Sequence, residues 1–353
     1  MKVNQQYYRS IWPAENGLSV NIIDQSKLPF LFEIEQIHHF AQMITAIKTM
    51  QVRGAPLIGV AAAYGMALAT LENAQDSFLN NAANFLIASR PTAVNLQWAV
   101  QQMLTGLQAT ALQHRVKKAW QMAQTLADMD VAQNRAIGQH GLAIINDLYQ
   151  QKVLNILTHC NAGWLATVDI GTALAPIYAA HDAGLKVHVW VDETRPRNQG
   201  AALTAWELNA HGVPHTVISD NAGGHLMQQG LVDMVIVGAD RVTANGDVCN
   251  KIGTYLKALA AFDNQIPFYA AVPSPTIDWD ITDYKQIEIE QRDSNEVAYM
   301  QGLTDNNVVQ SVRVIPLTSQ AANPAFDVTP ARLITGIITE KGYTAIEKWA
   351  YGK

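Results

Sequence analysis

The residues best suited to chemistry sit where apolar runs break into short polar ones. In "VDMVIVGADRVTANGDVCNKIGTYL", Val232 to Leu256, a strand built for burial ends on a carboxylate, Asp240, with Asn250 and Lys251 soon after. A carboxyl at the mouth of an apolar strand is partly desolvated, which raises its pKa toward values useful for proton transfer. The same place also suits a helix cap or an ion pair with Arg241. A second run, "VLNILTHC", ends on Cys160 and leads through Asn161-Ala162-Gly163 into a stretch read as a helix. A thiol at a helix N-terminus is drawn toward the thiolate, whereas a free cysteine in a core only packs. Cys249 takes the packing reading.

Several cations and polar groups could meet an anion. Asn250-Lys251 is read as opening the helix "NKIGTYLKALAAFD", so that an ammonium, amides and the helix dipole converge on a phosphate. Arg53 in "VRGAP", with Gly54 and Ala55, stands just ahead of a helix from near Pro56, and Arg90 in "SRPTAVN" stands at a helix break. Either arginine can clamp a phosphate with two parallel hydrogen bonds, or form a surface ion pair. Gln199 in "DETRPRNQG" is placed to meet a sugar hydroxyl.

These groups need a scaffold. From about residue 150, continuous apolar strands alternate with helical stretches about five times: "VLNILTHC", "KVHVWVDE", "PHTVISD", "VDMVIVGAD" and "IPFYAAVP". Continuous apolar strands separated by helices predict a parallel, Rossmann-like sheet covered on both faces. Ligands bind such sheets beyond the carboxyl ends of the strands, where the strand order reverses. In a 3-2-1-4-5 order, the strands ending at Cys160 and Asp240 are neighbours over one crevice. The first part of the chain is mainly helical with short strands around "LSVNIIDQ". "EIEQIHHFAQMITAIKTM" has helical spacing, as does Asp76 to about Gln150, interrupted at Pro91. Near the end, "FDVTPARLITGIITEKG" is read as a helix with Thr329 as N-cap, Pro330 in its first turn and Gly342 as terminator. The expected organisation is α/β: a smaller, mainly helical N-terminal domain over 1–145 and a Rossmann-like catalytic domain over 146–353.

Composition narrows the function. The 353 residues carry a formal net charge of −6, with 49% hydrophobic and 15% charged residues, a globular profile with no basic face for nucleic acid or anionic membrane. Two cysteines exclude a disulfide scaffold. "MKVNQQYYRSIW" has no signal-peptide core, and the apolar stretch Pro56 to Leu71 is too short to span a membrane, so a cytoplasmic protein is expected. No G-x-G-x-x-G, G-x-x-x-x-G-K-[ST] or H-E-x-x-H occurs, so neither a metal nor a nucleotide cofactor is expected, and a nicotinamide dehydrogenase is disfavoured.

The motifs together resemble one family. "VRGAPLIGVAAAYG", "RPTAVNLQWA", "THCNAG", "VDETRPRNQGAALTAWEL", "VIVGADRVTANGDVCNKIGTY" and "FDVTPARLITGIITEKG" are similar, in order and over the whole chain, to methylthioribose-1-phosphate isomerase. The resemblance implies an aldose–ketose isomerase of methionine salvage that turns 5-methylthioribose 1-phosphate into 5-methylthioribulose 1-phosphate, working as a homodimer. It implies that Asp240 is the proton donor and Cys160 the second catalytic group. Arg53, Gly54, Ala55, Arg90, Gln199, Asn250 and Lys251 would contact the substrate. Trp164, Asp169, Gly223, Gly224 and His225 depart from the family's usual residues and leave open the substituent at C5. A 5-deoxyribose 1-phosphate or ribose 1,5-bisphosphate isomerase is the nearest alternative. A non-catalytic sugar-phosphate or nucleotide sensor, like the regulatory translation-factor relatives, is the other.

Overall fold

The computed structural model describes residues 1–349. Its first part opens with a small hairpin, β1 (Lys2–Val3) and β2 (Gln6–Tyr7), and an antiparallel sheet of β3 (Ile11–Pro13), β4 (Val20–Ile23) and β5 (Ile34–Ile37). Five helices follow: α1 (Phe40–Lys48), α2 (Ala55–Glu72), α3 (Asp76–Ser89), α4 (Val94–Gln108) and α5 (Arg115–Leu148). The stretch "EIEQIHHFAQMITAIKTM" is therefore divided, its start pairing as β5 and only its second part helical. α2 is the hub. Its sequence is rich in alanine, the best helix former, and carries proline in the first turn where no amide partner is lost. It is apolar all round because α1, α3, α4 and α5 pack on it, and 83% of it is buried. The break between α3 and α4 falls at Arg90–Ala93, as Pro91 requires.

The rest of the chain builds one seven-stranded sheet. Its members are β6 (Leu154–Thr158), β7 (Val187–Asp192), β8 (His215–Ile218), β9 (Met234–Val237), β12 (Phe268–Ala271), β17 (Gly336–Thr339) and β18 (Gly342–Ala345). The order is β18-β17-β12-β9-β6-β7-β8, with every pairing parallel except the edge pair β17–β18. Counted from β6, the first five strands stand 3-2-1-4-5, and the reversal lies between β6 and β9.

Alternate residues of each strand face opposite cores. Ile156, Val189 and Ile236 pack under α5 and α6 (Leu174–Asp182), together with Leu208 of α7 (Ala205–His211). Leu157, Val235 and Phe268 pack toward α8 (Ala222–Gln228) and α9 (Thr254–Asp263). Each such side chain contributes roughly 1.5–3 kcal/mol by leaving water. α5 belongs to both halves: Ala119 to Val131 lie in the helical core, Ile137 and Ile145 in the sheet core.

A smaller sheet crosses the carboxyl end of the large one, in the order β13 (Ile277–Asp278), β10 (Arg241–Thr243), β11 (Val248–Lys251) and β16 (Phe326–Thr329). A short helix, α10 (Asn295–Ala298), leads into an outlying hairpin, β14 (Tyr299–Leu303) with β15 (Val309–Arg313), and α11 (Ile346–Trp349) closes the described chain.

The structure departs from three local expectations. The segment read as a helix from Thr329 to Gly342 is strand: Thr329 ends β16, a single 3₁₀ turn spans Ala331–Leu333, and Gly342 starts β18. Its cap-like Thr-Pro pair misled, because a continuous buried run, Gly336–Thr339, completes the sheet. Asn250 and Lys251 end β11, and α9 begins only at Thr254. Finally, the residues after Cys160 form a 3₁₀ turn at Trp164–Ala166, and α6 starts at Leu174.

Candidate active site

β6 and β9 run out side by side at the reversal point, so the loops after them share one crevice. The loop after β6 carries Cys160 with a positive φ of 65°, its amide donating to Thr194 Oγ1 at 2.8 Å. The loop after β9 carries Asp240, two residues beyond the strand's flanking Gly238, with its amide donating to the Cys249 carbonyl at 2.9 Å. α2 enters from the helical half with Gly54 as N-cap. Gly54 has φ +95°, and a Cβ there would lie 2.5–2.7 Å from backbone and Cβ atoms of Ala166, so only glycine lets the helix start reach the Cys160 loop.

All nine expected residues line a single cavity of about 50 Å³: Cys160 and Asp240, with Arg53, Gly54, Ala55, Arg90, Gln199, Asn250 and Lys251. A wider cleft of about 830 Å³ shares Met50, Arg53 and Gln199 with it. Arg53, Asn250, Lys251, Gln199 and Cys160 are buried, while Asp240 and Arg90 are partly so.

The cations are unevenly partnered. Arg53 donates from Nη1 to Asn161 Oδ1 at 2.5 Å and from Nη2 to the Asn161 carbonyl at 2.8 Å, leaving Nε without a partner. Arg90 pairs with Glu290 at 3.1 Å and also leaves Nε unpartnered. Lys251 Nζ lies 4.6 Å from the centre of the Phe326 ring and, among the described residues, has no ion pair within 4 Å. Unpartnered buried donors on the two arginines, beside a lysine with no ion pair, are costly unless an anion completes them. Burial pulls Lys251 and Arg53 below their ordinary pKa values, with Cys160 and Asp240 acting against that. Burial pushes the Asp240 carboxyl up, although Lys251, Arg90 and Arg53 draw it down.

Cys160 differs from its expected state. Lacking a helix behind it, the thiol is pushed up by burial, with Arg53 and Lys251 only partly offsetting that. Its Sγ lies 3.5 Å from Gln199 Oε1. The dipole expected behind Lys251 is likewise supplied elsewhere: the helix N-terminus at the cavity is that of α2. Cys249 is buried, outside the cavity lining, and pushed up to about 12 mainly by burial.

Sequence reading missed Asn161, Met50, Glu290 and Phe326. Asn161 carried a signal, since it follows Cys160 directly in "THCNAG". Glu290 carried none, because its partner lies 200 residues away. Among the described residues, Trp164, Asp169, Gly223, Gly224 and His225 line neither the cavity nor the cleft. Trp164 is fully buried and stacks on Trp206 at 6.0 Å, and Asp169 receives the Tyr7 hydroxyl and the Met1 amino group. One cluster has the donor set of a metal site: His159, Asp192 and Asp220. Lys257 occupies that place, 3.2 Å from Asp192 Oδ2, and both His159 nitrogens are engaged, by Asp192 and the Ile252 carbonyl.

Residues 51–346 match the model of the Initiation factor 2 subunit family. A methylthioribose-1-phosphate isomerase of Rhodospirillum rubrum is 60% identical over 98% of this chain and 91% of its own. The crystal structure of 5-methylthioribose 1-phosphate isomerase from Pyrococcus horikoshii superposes with a TM-score of 0.83, at 39% identity over 99% of this chain and 97% of that one. A structure described as translation initiation factor eIF-2B, subunit delta, from A. fulgidus has a TM-score of 0.79, at 39% identity over 96% of each chain. The chain belongs to the Initiation factor 2 subunit family and, within it, to the methylthioribose-1-phosphate isomerases.

Proposed function

We propose that the cavity converts 5-methylthioribose 1-phosphate to 5-methylthioribulose 1-phosphate, with Asp240 and Cys160 as its reacting groups. The observation that carries this is the meeting, in one cavity, of an acid and a thiol from strand ends 80 residues apart with three cations, two of which leave buried donors unpaired. The phosphate is held by Arg53, Arg90 and Lys251 with the first amides of α2, and Gln199 and Asn250 meet sugar hydroxyls. The C5 substituent extends toward the cleft that Met50 shares.

A sugar phosphorylated at its anomeric carbon cannot open by losing a proton, so the ring oxygen must be protonated as its bond to C1 breaks. Asp240, whose carboxyl burial pushes up toward values useful for proton transfer, supplies that proton. A hydrogen then passes from C2 to C1. A thiol pushed up by burial is a poor base, which favours migration of that hydrogen with its electron pair. C2 is left as a protonated carbonyl, and loss of the 2-hydroxyl proton completes the ketone and restores the acid. Cys160 steadies the developing positive charge from the side. In the other route Cys160, as thiolate, removes the C2 proton and returns it to C1. Deuterium placed at C2 decides: retention at C1 supports migration, and washout to solvent supports proton abstraction.

A bisphosphate substrate would need a second cation site near C5. Arg195 and Arg197 line the cleft, but Arg197 is tied to Glu296 at 2.9 Å and Arg195 to the Pro196 and Val297 carbonyls. Turnover is therefore expected to be highest with the methylthio sugar, lower with 5-deoxyribose 1-phosphate and lowest with ribose 1,5-bisphosphate. A chain that binds these sugars without converting any would overturn the reading in favour of a sensor. The same reading divides the chain into a unit over 1–145 and a catalytic unit over 146–353, and makes it a cytoplasmic homodimer that needs no cofactor. Sedimentation at micromolar concentration tests the dimer.

A further inference from the structure

Behind the cavity lies an ionisable group that the reaction does not use. Glu207, in the first turn of α7, is completely buried. Four donors converge on its two oxygens. Asn161 Nδ2 and the Leu165 amide reach Oε1, each at 2.9 Å, while the Trp164 amide at 2.7 Å and the Tyr178 hydroxyl at 2.9 Å reach Oε2. No cation touches it within 4 Å among the described residues. Backbone amides can only donate, so each oxygen must accept at least one hydrogen bond, an arrangement that suits the ionised carboxylate. Burial pushes Glu207 up, and these hydrogen bonds draw it back.

Its compensating charge is one residue away. A guanidinium has no acceptor, so Asn161 must turn Oδ1 to Arg53 and therefore Nδ2 to Glu207. Arg53, Asn161 and Glu207 form a directed relay from cation to anion. The two amides that also bind Glu207 belong to the turn following Cys160, and a Cβ on Gly163 would collide with Glu207 Oε2. One buried anion thus fixes both the plane of the guanidinium and the path of the Cys160 loop.

We infer that Glu207 is a positioning residue of the isomerase site, aiming Arg53 at the substrate phosphate through Asn161. This rests on Arg53 being a phosphate clamp. Glu207→Gln keeps the shape but turns an amide on at least one pair of donors, so the relay loses its fixed sense. Because a misaimed clamp weakens substrate binding before and during reaction alike, KM should rise about tenfold or more with kcat changed less. Tyr178→Phe removes one hydrogen bond from the same carboxylate on the side away from Arg53, and KM should stay within about twofold.

The test measures both constants for Glu207→Gln, Arg53→Lys, their double variant and Tyr178→Phe, together with equilibrium binding of inorganic phosphate. The inference predicts that Glu207→Gln and Arg53→Lys each weaken phosphate binding and that the double variant loses little more than Arg53→Lys alone. Additive losses, or a folded Glu207→Gln with unchanged KM beside a raised KM for Arg53→Lys, overturn it while leaving the clamp intact. An Arg53→Lys variant with unchanged KM removes the clamp and the inference together. If Glu207→Gln does not fold, Asn161→Ala cuts the same relay from its middle. A raised phosphate dissociation constant there supports the inference, and an unchanged one overturns it.

Discussion

The cavity holds its three cations close together, and burial works against each charge it encloses. Lys251 shows the conflict most plainly, with an aromatic ring for a neighbour and no ion pair in reach among the described residues. Lys251→Met should raise KM by about tenfold or more while leaving the melting temperature of the ligand-free protein equal or higher, because an uncompensated charge is removed from the interior. Calorimetry with and without inorganic phosphate checks both halves. Asp240→Asn and Cys160→Ser should each lower kcat by about 10²-fold or more without altering the melting temperature, on the scale of positioned acid–base groups. Near-native rates in both would remove their roles. The positions of Cys160 and Asp240 were legible in the sequence because each follows an apolar strand, whereas Lys251 was read as opening a helix and ends β11. Their states were not: Cys160 was expected beside a helix end and lies in a buried turn. Asn161, Glu290 and Glu207 owe their importance to partners far along the chain, which no local pattern reveals.

Elements were legible in proportion to the length of their apolar runs. β6, β7, β9 and β12 were read correctly as buried parallel strands, and the reversal between β6 and β9 lies where the ligand site was expected. β10, β11 and β16 were not, since they are three or four residues long, mix polar with apolar residues and exist only through pairing with one another. That small sheet delivers Lys251 and Asn250 from a strand, where side chains alternate, so neighbours on β11 need not serve one ligand equally. α2 places the other wall, and its start depends on one residue. Gly54→Ala meets both a left-handed φ and the backbone of Ala166, so it should cost roughly 1–3 kcal/mol and reduce kcat/KM through displacement of the Cys160 loop. Denaturant titration and kinetics on the same preparation measure the two effects. A variant as stable and active as the parent would show that the loop has room to yield.

At the scale of the molecule, α5 joins the two cores and carries Asp130 near their junction. This carboxyl is buried, receives the Val168 amide at 2.7 Å and Asn134 Nδ2 at 3.0 Å, and is pushed up to about 7, chiefly by burial. Its folded pKa exceeds the ordinary 3.8, so between those values the folded chain holds a proton that the unfolded chain releases. Stability from this group is complete below 3.8 and is lost as pH rises through about 7, on the order of 4 kcal/mol in all. Asp130→Asn should flatten that fall, so its melting temperature gains on the parent's as pH is raised from 5 to 8. An equal slope in both proteins would show that Asp130 does not carry it.

Arg53 and Arg90 precede α5, whereas Lys251 follows it, so an anion seated among them fastens two stretches of chain that otherwise repel across the crevice. The metabolite then becomes a guardian of its own catalyst: at a hundredfold excess over its dissociation constant it adds about 2.7 kcal/mol against unfolding. Cells starved of the sugar phosphate would be expected to degrade this protein faster than cells supplied with it. Digestion by a nonspecific protease, slowed by substrate and slowed less at the same concentration in Lys251→Met, would display that protection directly.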